Sequence, residues 1–272
     1  MGLCKACHTD DWEDDSFLAI LDELDLSFGR QYKHRKHWEF AKAIWGLGKL
    51  GCLTSEALAL GVGAGKEHVA YYLANKLGRV HAVDIYGSGD FAQSDAPAEM
   101  LVHPEKFAPF GYRQERLIVQ YMDGRDLKYP ADCFDIVFSL SSIEHFGGHT
   151  AATRAMQEMA RVLRPGGTLA LTTELILNGA SHPDFFLPGE LETVLIWPSG
   201  LDLVEPLDLR VPPALLDDPL DMSSDISRRF PHIVLKLGSV VFTSVIMFLQ
   251  KPDTSGRSGA EKRGAYEPGK NR

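Results

Sequence analysis

The chain lacks any apolar run close to the ~18 residues that a membrane helix needs. Val240 to Leu249 is its most hydrophobic stretch, and that is short enough to read as a buried strand. No basic-then-apolar leader opens the sequence, so neither a membrane span nor a secretory signal is expected, and the expected compartment is the cytoplasm. Basic residues are also in short supply. Lys and Arg number 28 against 37 Asp and Glu, a formal charge of -9. Phosphate neutralisation needs a basic face, so nucleic acid is not the expected partner. The four cysteines, at 4, 7, 52 and 133, form no disulfide ladder. Cys4-Lys5-Ala6-Cys7-His8 does spell C-x-x-C-H, a haem or zinc pattern, but no second cysteine pair follows. The expectation is a reduced, mobile N-terminal segment with no bound metal.

What the chain does have is a glycine loop. Ala57-Leu58-Ala59-Leu60 runs straight into Gly61, Gly63 and Gly65, and then into a helix. Alternating glycines suit a backbone that turns tightly and lets a ligand approach with no Cβ between. About nineteen residues past the last glycine, Arg79-Val80-His81-Ala82-Val83 ends in Asp84, placed to hold a ribose diol. Ile85 follows as a neighbouring cofactor contact. The dinucleotide pattern G-x-G-x-x-G would want a third glycine where Lys66 stands, which counts against a nicotinamide oxidoreductase.

G-x-G-x-G instead resembles the first motif of class I S-adenosylmethionine-dependent methyltransferases, and the resemblance continues in order over roughly residues 55 to 175. Leu117 to Leu127 is similar to the family's third strand and acidic turn, which implies adenine contacts for Asp123 and Gly124. Phe134 to His145 resembles the fourth strand, which leads to the reaction centre and implies a cofactor contact at Ser139. Arg161 to Leu171, with Pro165-Gly166-Gly167, is similar to the helix end, turn and fifth strand. The implied fold is α/β, a doubly wound Rossmann-like seven-stranded sheet with an antiparallel last strand and a helical N-terminal extension. The implied cofactor is S-adenosylmethionine. One departure stands out: many members carry an acid two residues before the first glycine, where this chain has Ala59. Glu67 is a candidate to replace it, against the simpler reading of a solvated residue in the first helical turn.

Three stretches organise the chain: 1–54, an N-terminal helical extension or cap; 55–251, the methyltransferase domain; and 252–272, a disordered tail with almost nothing apolar to bury. In the extension, Phe17, Leu18, Leu21 and Leu24 and then Trp38, Ala41, Ile44 and Trp45 recur with helical period, and Gly46 and Gly48 mark the second helix's end. The tryptophans are expected to pack on the sheet. Leu201 to Glu205 should form the sixth strand and Val241 to Gln250 the antiparallel seventh. Residues 85–116 and 176–200 are long connections opening at the ligand end of the sheet. They offer Tyr86, Phe91, Phe107, Phe110, Tyr112, His182, Phe185 and Phe186 as pocket candidates.

Glu144 and His145, directly after the fourth strand, are the candidate catalytic residues, with His145 the candidate general base. Some metal-dependent relatives carry E-x-x-E-H there. Ser141 replaces the first acid, so no metal is expected. No D/N-P-P-Y/F turn and no Pro-Cys nucleophile appear, and the resemblance implies a small-molecule acceptor, most simply a sugar, polyketide or phenol hydroxyl. A non-catalytic binding or regulatory protein on the same fold is the alternative. The sequence is silent on oligomeric state.

Overall fold

The structure is a computed structural model, and it describes residues 1–226 and 229–253. The tail expected to be disordered therefore lies outside the described residues from 254 onward. In chain order the elements are β1 (Lys5–Ala6), α1 (Asp15–Glu23), α2 (Phe28–Tyr32), α3 (Arg35–Lys49), β2 (Leu58–Val62), α4 (His68–Lys76) and β3 (Arg79–Asp84). There follow β4 (Leu117–Tyr121), β5 (Phe134–Leu140), α5 (His149–Val162), β6 (Leu163–Ile176), β7 (Asp202–Leu203), β8 (Leu220–Asp221), β9 (Leu235–Leu237) and β10 (Val240–Gln250).

The sheet runs β4-β3-β2-β5-β6-β10-β9-β8. Strands β2 to β6 are parallel, and β10 returns antiparallel to β6 along Phe242↔Ile176 to Gln250↔Thr168. This is the doubly wound sheet with a reversed last long strand. Its central strands are continuous apolar runs such as Ile136-Val137-Phe138 because helices cover both faces. The expected sixth strand shrinks to β7, two residues paired with β10. The proline-containing excursion before β10 adds two short strands, β8 and β9.

The N-terminal segment departs from expectation, because it is built into the sheet. β1 pairs with β10 through Lys5↔Ile246 and Ala6↔Val245, and Cys4 and Cys7 are fully buried. The Glu205 carboxylate accepts the backbone N–H groups of Leu3 and Cys4. Physically, β10 would otherwise offer a stretch of unpaired edge, and small side chains at 4, 6 and 7 let the chain lie close against it.

α1 starts where Asp14 caps it, accepting from Ser16 N at 2.8 Å and Phe17 N at 3.1 Å, and it buries Phe17 and Leu21. α3 carries Trp38 and Trp45 inward, as expected, and Trp38 Nε1 donates to the buried Asp11 carboxylate at 2.6 Å. Gly46 and Gly48 fall in the last turn of α3, where their carbonyls accept the N–H of the C-cap Leu50, in keeping with the expected helix end. Gly46 is there for closeness, since an added Cβ would sit 2.1 Å from the Phe248 ring of β10. Helix propensity alone would reward Gly46→Ala by about 1 kcal/mol. Overpacking against a fully buried ring costs about 1 to 3 kcal/mol. The steric term wins, so Gly46→Ala is expected to lower the melting temperature, as thermal unfolding followed by circular dichroism would show.

Candidate functional site

The strand order reverses at β2, which lies between β3 and β5, so the crevice of this sheet opens at the carboxyl ends of β2 and β5. The glycine loop stands on one side of it and Ser141 to His145 on the other. They are tied together: Ser142 Oγ donates to the Gly63 carbonyl at 2.7 Å. From the other flank, Tyr86 donates its hydroxyl to the Gly65 carbonyl at 2.9 Å and is itself buried.

Gly63 and Gly65 have φ of +65° and +46°, and an added Cβ would lie 2.5 Å from Ser142 Cβ and 2.6 Å from the Asp95 carbonyl oxygen respectively. At Gly61 it would lie 2.5 Å from the Phe138 ring. The loop's glycines are thus demanded by the protein's own packing as well as by any ligand. Gly63→Val consequently cannot be a silent probe of the pocket. A β-branched side chain is a conformational outlier at this φ and collides with Ser142, so the variant should lose thermal stability together with ligand binding. An unchanged melting temperature would show that the loop is not clamped in this way.

At the end of β3, the Asp84 carboxylate accepts from Gly65 N at 2.9 Å and from Ile85 N at 2.7 Å. Burial raises its pKa, and those two N–H groups partly offset the effect. The acid is therefore fixed in orientation beside the glycine loop, with lone pairs left for a diol. Ile85 is partly exposed next to it. Asp123 is drawn into a bidentate pair with Arg125, which holds its carboxyl below the usual range. Gly124 admits no side chain, since a Cβ would lie 2.7 Å from Val62 and 2.8 Å from Phe146. Ser139 is buried within β5, and its Oγ has no partner among the described residues.

Glu67 is not the solvated residue of a first helical turn. Its Oε2 is buried without a partner, and burial, with Glu39, Asp84 and Asp95 nearby, pushes its pKa well up. A buried acid thus stands at the N-cap of α4, two residues past the glycine loop, although Ala59 provides none.

The largest feature missed in the sequence is a buried polar cluster where α3 crosses the ends of β6 and β10. Arg35 Nη1 donates to Glu174 Oε1 at 2.7 Å, Glu39 Oε1 at 3.1 Å and Ser244 Oγ at 2.8 Å. Ser141, held at φ +47°, donates its hydroxyl to Glu39 Oε2 at 2.8 Å. Burial alone would raise the Glu39 pKa, but Lys36, Arg35 and the hydroxyls of Ser244 and Ser141 bring it below the usual range. An acid on Ser141 is absent from the sequence, yet a carboxylate from α3 reaches that position in space. The local signal was a charged i,i+4 pair, Arg35 and Glu39, within a helix whose other inward positions, Lys42 apart, are aromatic, aliphatic or glycine.

Glu144 belongs to this cluster and not to the surface beside His145. It sits in a single 3₁₀ turn, Ile143–His145, where it is buried and His145 is exposed. Thr173 Oγ1 donates to Glu144 Oε2 at 3.0 Å, and Oε1 has no partner among the described residues. Burial and then Glu174 push its pKa up to about 8. His145 moves the other way: desolvation by its surroundings and then Lys36 lower its pKa, so its ring is neutral at neutral pH. The ring packs on Phe91 at 4.7 Å.

The aromatic candidates divide. Phe91 borders the crevice, while Phe107, Phe110 and Tyr112 pack partly buried on the core. Phe185 and Phe186 are core residues and not pocket walls, although His182 stacks on Phe185 at 4.0 Å. Among the described residues no group of three or more His, Cys, Asp or Glu is placed to hold a metal ion, and no helix is long and apolar enough to cross a membrane.

Residues 60–171 match the family model described as a methyltransferase domain. With the order of its strands, this makes the matched stretch a methyltransferase domain of the class I superfamily, whose cofactor is S-adenosylmethionine. Among curated proteins, the 27-O-demethylrifamycin SV methyltransferase of Amycolatopsis mediterranei is 40% identical over 63 residues, which is 23% of this chain and 22% of that protein. The match thus spans under a quarter of either chain. Among solved structures, the [4+2]-cyclase SpnF aligns with a TM-score of 0.52 at 16% identity, over 79% of this chain and 82% of its own. Phosphoethanolamine N-methyltransferase 2 of Haemonchus contortus, solved with phosphomonomethylethanolamine and S-adenosylhomocysteine, gives 0.51 at 14% identity, over 89% of this chain and 61% of that one. At these identities the alignments speak for the fold alone.

Proposed function

We propose that this protein transfers a methyl group from S-adenosylmethionine to a hydroxyl of a small molecule. The observation that carries the reading is Asp84, whose carboxylate is oriented by Gly65 N and Ile85 N at the crevice end of β3. The site's residues fit that cofactor: Asp84 for the ribose diol, the Gly61 to Gly65 loop for close approach, and the unpartnered Glu67 carboxylate for the ammonium of the methionine end. Asp123 and Gly124 serve the adenine side. When bound, the cofactor supplies a methyl group on a sulfonium, an activated leaving group.

The chain's own task is to align the acceptor, exclude water and receive its proton. His145 Nδ1 or Nε2, neutral and open at the mouth, takes the hydroxyl proton as the acceptor attacks. Phe91 packs against the imidazole ring at a tilt. The name of the Amycolatopsis relative, a 27-O-demethylrifamycin SV methyltransferase, is in keeping with a hydroxyl acceptor. The direct experiment is to incubate purified protein and methyl-labelled S-adenosylmethionine with a metabolite extract. Label in a hydroxyl-bearing product with release of S-adenosylhomocysteine supports the reading. Tight cofactor binding with no labelled product would make the protein a binding module on the same fold.

A further inference from the structure

One arginine joins two turns at the carboxyl end of the sheet. Arg125 lies in the turn after β4, where its backbone N–H and Nε donate to Asp123 Oδ1 at 2.8 and 2.9 Å and Nη2 donates to Asp123 Oδ2 at 2.6 Å. Nη1 points the other way and donates at 2.9 Å to the carbonyl of Phe146, in the turn after β5. An exposed ion pair between residues two apart would contribute little by itself. The bond to Phe146 differs in kind. Strands β3 and β2 stand between β4 and β5, so at about 4.8 Å per strand the ends of β4 and β5 are about 14 Å apart. The two turns therefore lean toward each other over the carboxyl ends of β3 and β2, where Asp84 and the glycine loop lie. Contacts on both sides confirm the placement. Met122 N donates to the Asp84 carbonyl at 3.0 Å, and the Phe146 ring lies 2.8 Å from where a Cβ would stand on Gly124 and 3.2 Å from where one would stand on Gly63.

We infer that Arg125 is the positioning residue of the base subsite: it clamps the Asp123 carboxylate to the Phe146 turn, so that a fixed acceptor meets the amino group of the cofactor's adenine. This rests on the cofactor reading above, which puts Asp123 and Gly124 on the adenine side. A carboxylate offers about four lone-pair sites, and the three N–H groups of Arg125 take most of them. What is left on Oδ2 suits one N–H donor. Because the clamp holds the acid in place, a ligand amine forms a charge-assisted hydrogen bond without first ordering a flexible side chain. Without Arg125 the acid is a mobile, hydrated group at the rim, and the amine gains little by exchanging water for it.

Isothermal titration of the full chain with S-adenosylhomocysteine and with its 6-deamino analogue, in which hydrogen replaces the amino group of adenine, isolates that one bond. In the wild-type protein the natural ligand is expected to bind on the order of tenfold or more tighter than the analogue. In Arg125→Ala the ratio should approach one. Arg125→Lys should lie between, since a single ammonium cannot reach the carboxylate and the Phe146 carbonyl together. The Arg125 side chain is 43% exposed, so neither change opens a cavity and both variants should keep native circular dichroism. A merely structural arginine would weaken both ligands equally and leave the ratio at its wild-type value, and that result would overturn the inference. A wild-type ratio near one would do the same whether or not the variants fold, and so would loss of the native fold in both variants, which would make Arg125 a structural residue. If S-adenosylhomocysteine itself does not bind, the cofactor reading fails; if it binds with a ratio near one, that reading stands and the role of Arg125 falls alone.

Discussion

Asp84→Ala is expected to weaken S-adenosylmethionine binding by about 2 to 4 kcal/mol, roughly 30- to 1000-fold, through loss of charge-assisted hydrogen bonds to the ribose hydroxyls. Two structural effects accompany that loss. The carboxylate also accepts Gly65 N and Ile85 N, so its removal frees two loop N–H groups and loosens the cradle. Burial raises the Asp84 pKa, so removing the group also relieves some desolvation in the unliganded protein. That relief is common to the free and the bound protein, so it acts on folding stability more than on affinity. Asp84→Asn separates the contributions, because its amide retains one acceptor oxygen and sheds the charge. It should bind between wild type and alanine. Titration calorimetry on variants with native circular dichroism decides the matter, and wild-type affinity in Asp84→Ala would remove Asp84 from the site.

The reach of the sequence stops where contacts become distant. The glycine loop, Asp84, and the order of strands from β2 to β6 were legible because each is a local signal, an apolar run ended by a glycine turn or an acid. The buried cluster was not. Arg35 meets Glu174 across 139 residues, and Ser244 meets Glu39 across 205. Nothing near Glu174 in the chain marks it as the partner of a helix. Ser141 illustrates the same limit in reverse. Read locally it was the loss of an acid, whereas in three dimensions its hydroxyl is where the Glu39 carboxylate docks. The N-terminal segment was misjudged for a related reason: two cysteines near a chain end look mobile until β10 is seen to need an edge partner. Glu67 followed a sound local rule about acids at helix starts, which fails because its carboxyl is buried among charges brought from distant parts of the chain, Lys36 and Glu39 of α3 with Asp84 and Asp95.

His145→Gln is expected to lower turnover by roughly 10²- to 10⁴-fold while leaving S-adenosylmethionine affinity nearly unchanged, since proton removal contributes to the transition state and not to cofactor binding. Glutamine keeps much of the ring's polarity but cannot accept a proton near neutral pH. The wild-type pH profile gives the independent check. Desolvation and Lys36 lower the His145 pKa, so the neutral, base-competent ring persists to more acidic pH than an ordinary imidazole allows. The acid limb of kcat should therefore lie below the usual histidine range, and Lys36→Met, which removes the neighbouring positive charge, should move that limb upward. A merely structural His145 would give no such coupled shift. Chelation with EDTA should leave the rate intact, because the hydroxyl of Ser141 is committed to Glu39 and Glu144 faces the buried cluster. Restoration of an EDTA-inhibited rate by Mg²⁺ would transfer the deprotonating role from the imidazole to a metal. Full activity in His145→Gln would mean that alignment alone suffices, as it does for an amine acceptor, which needs no base.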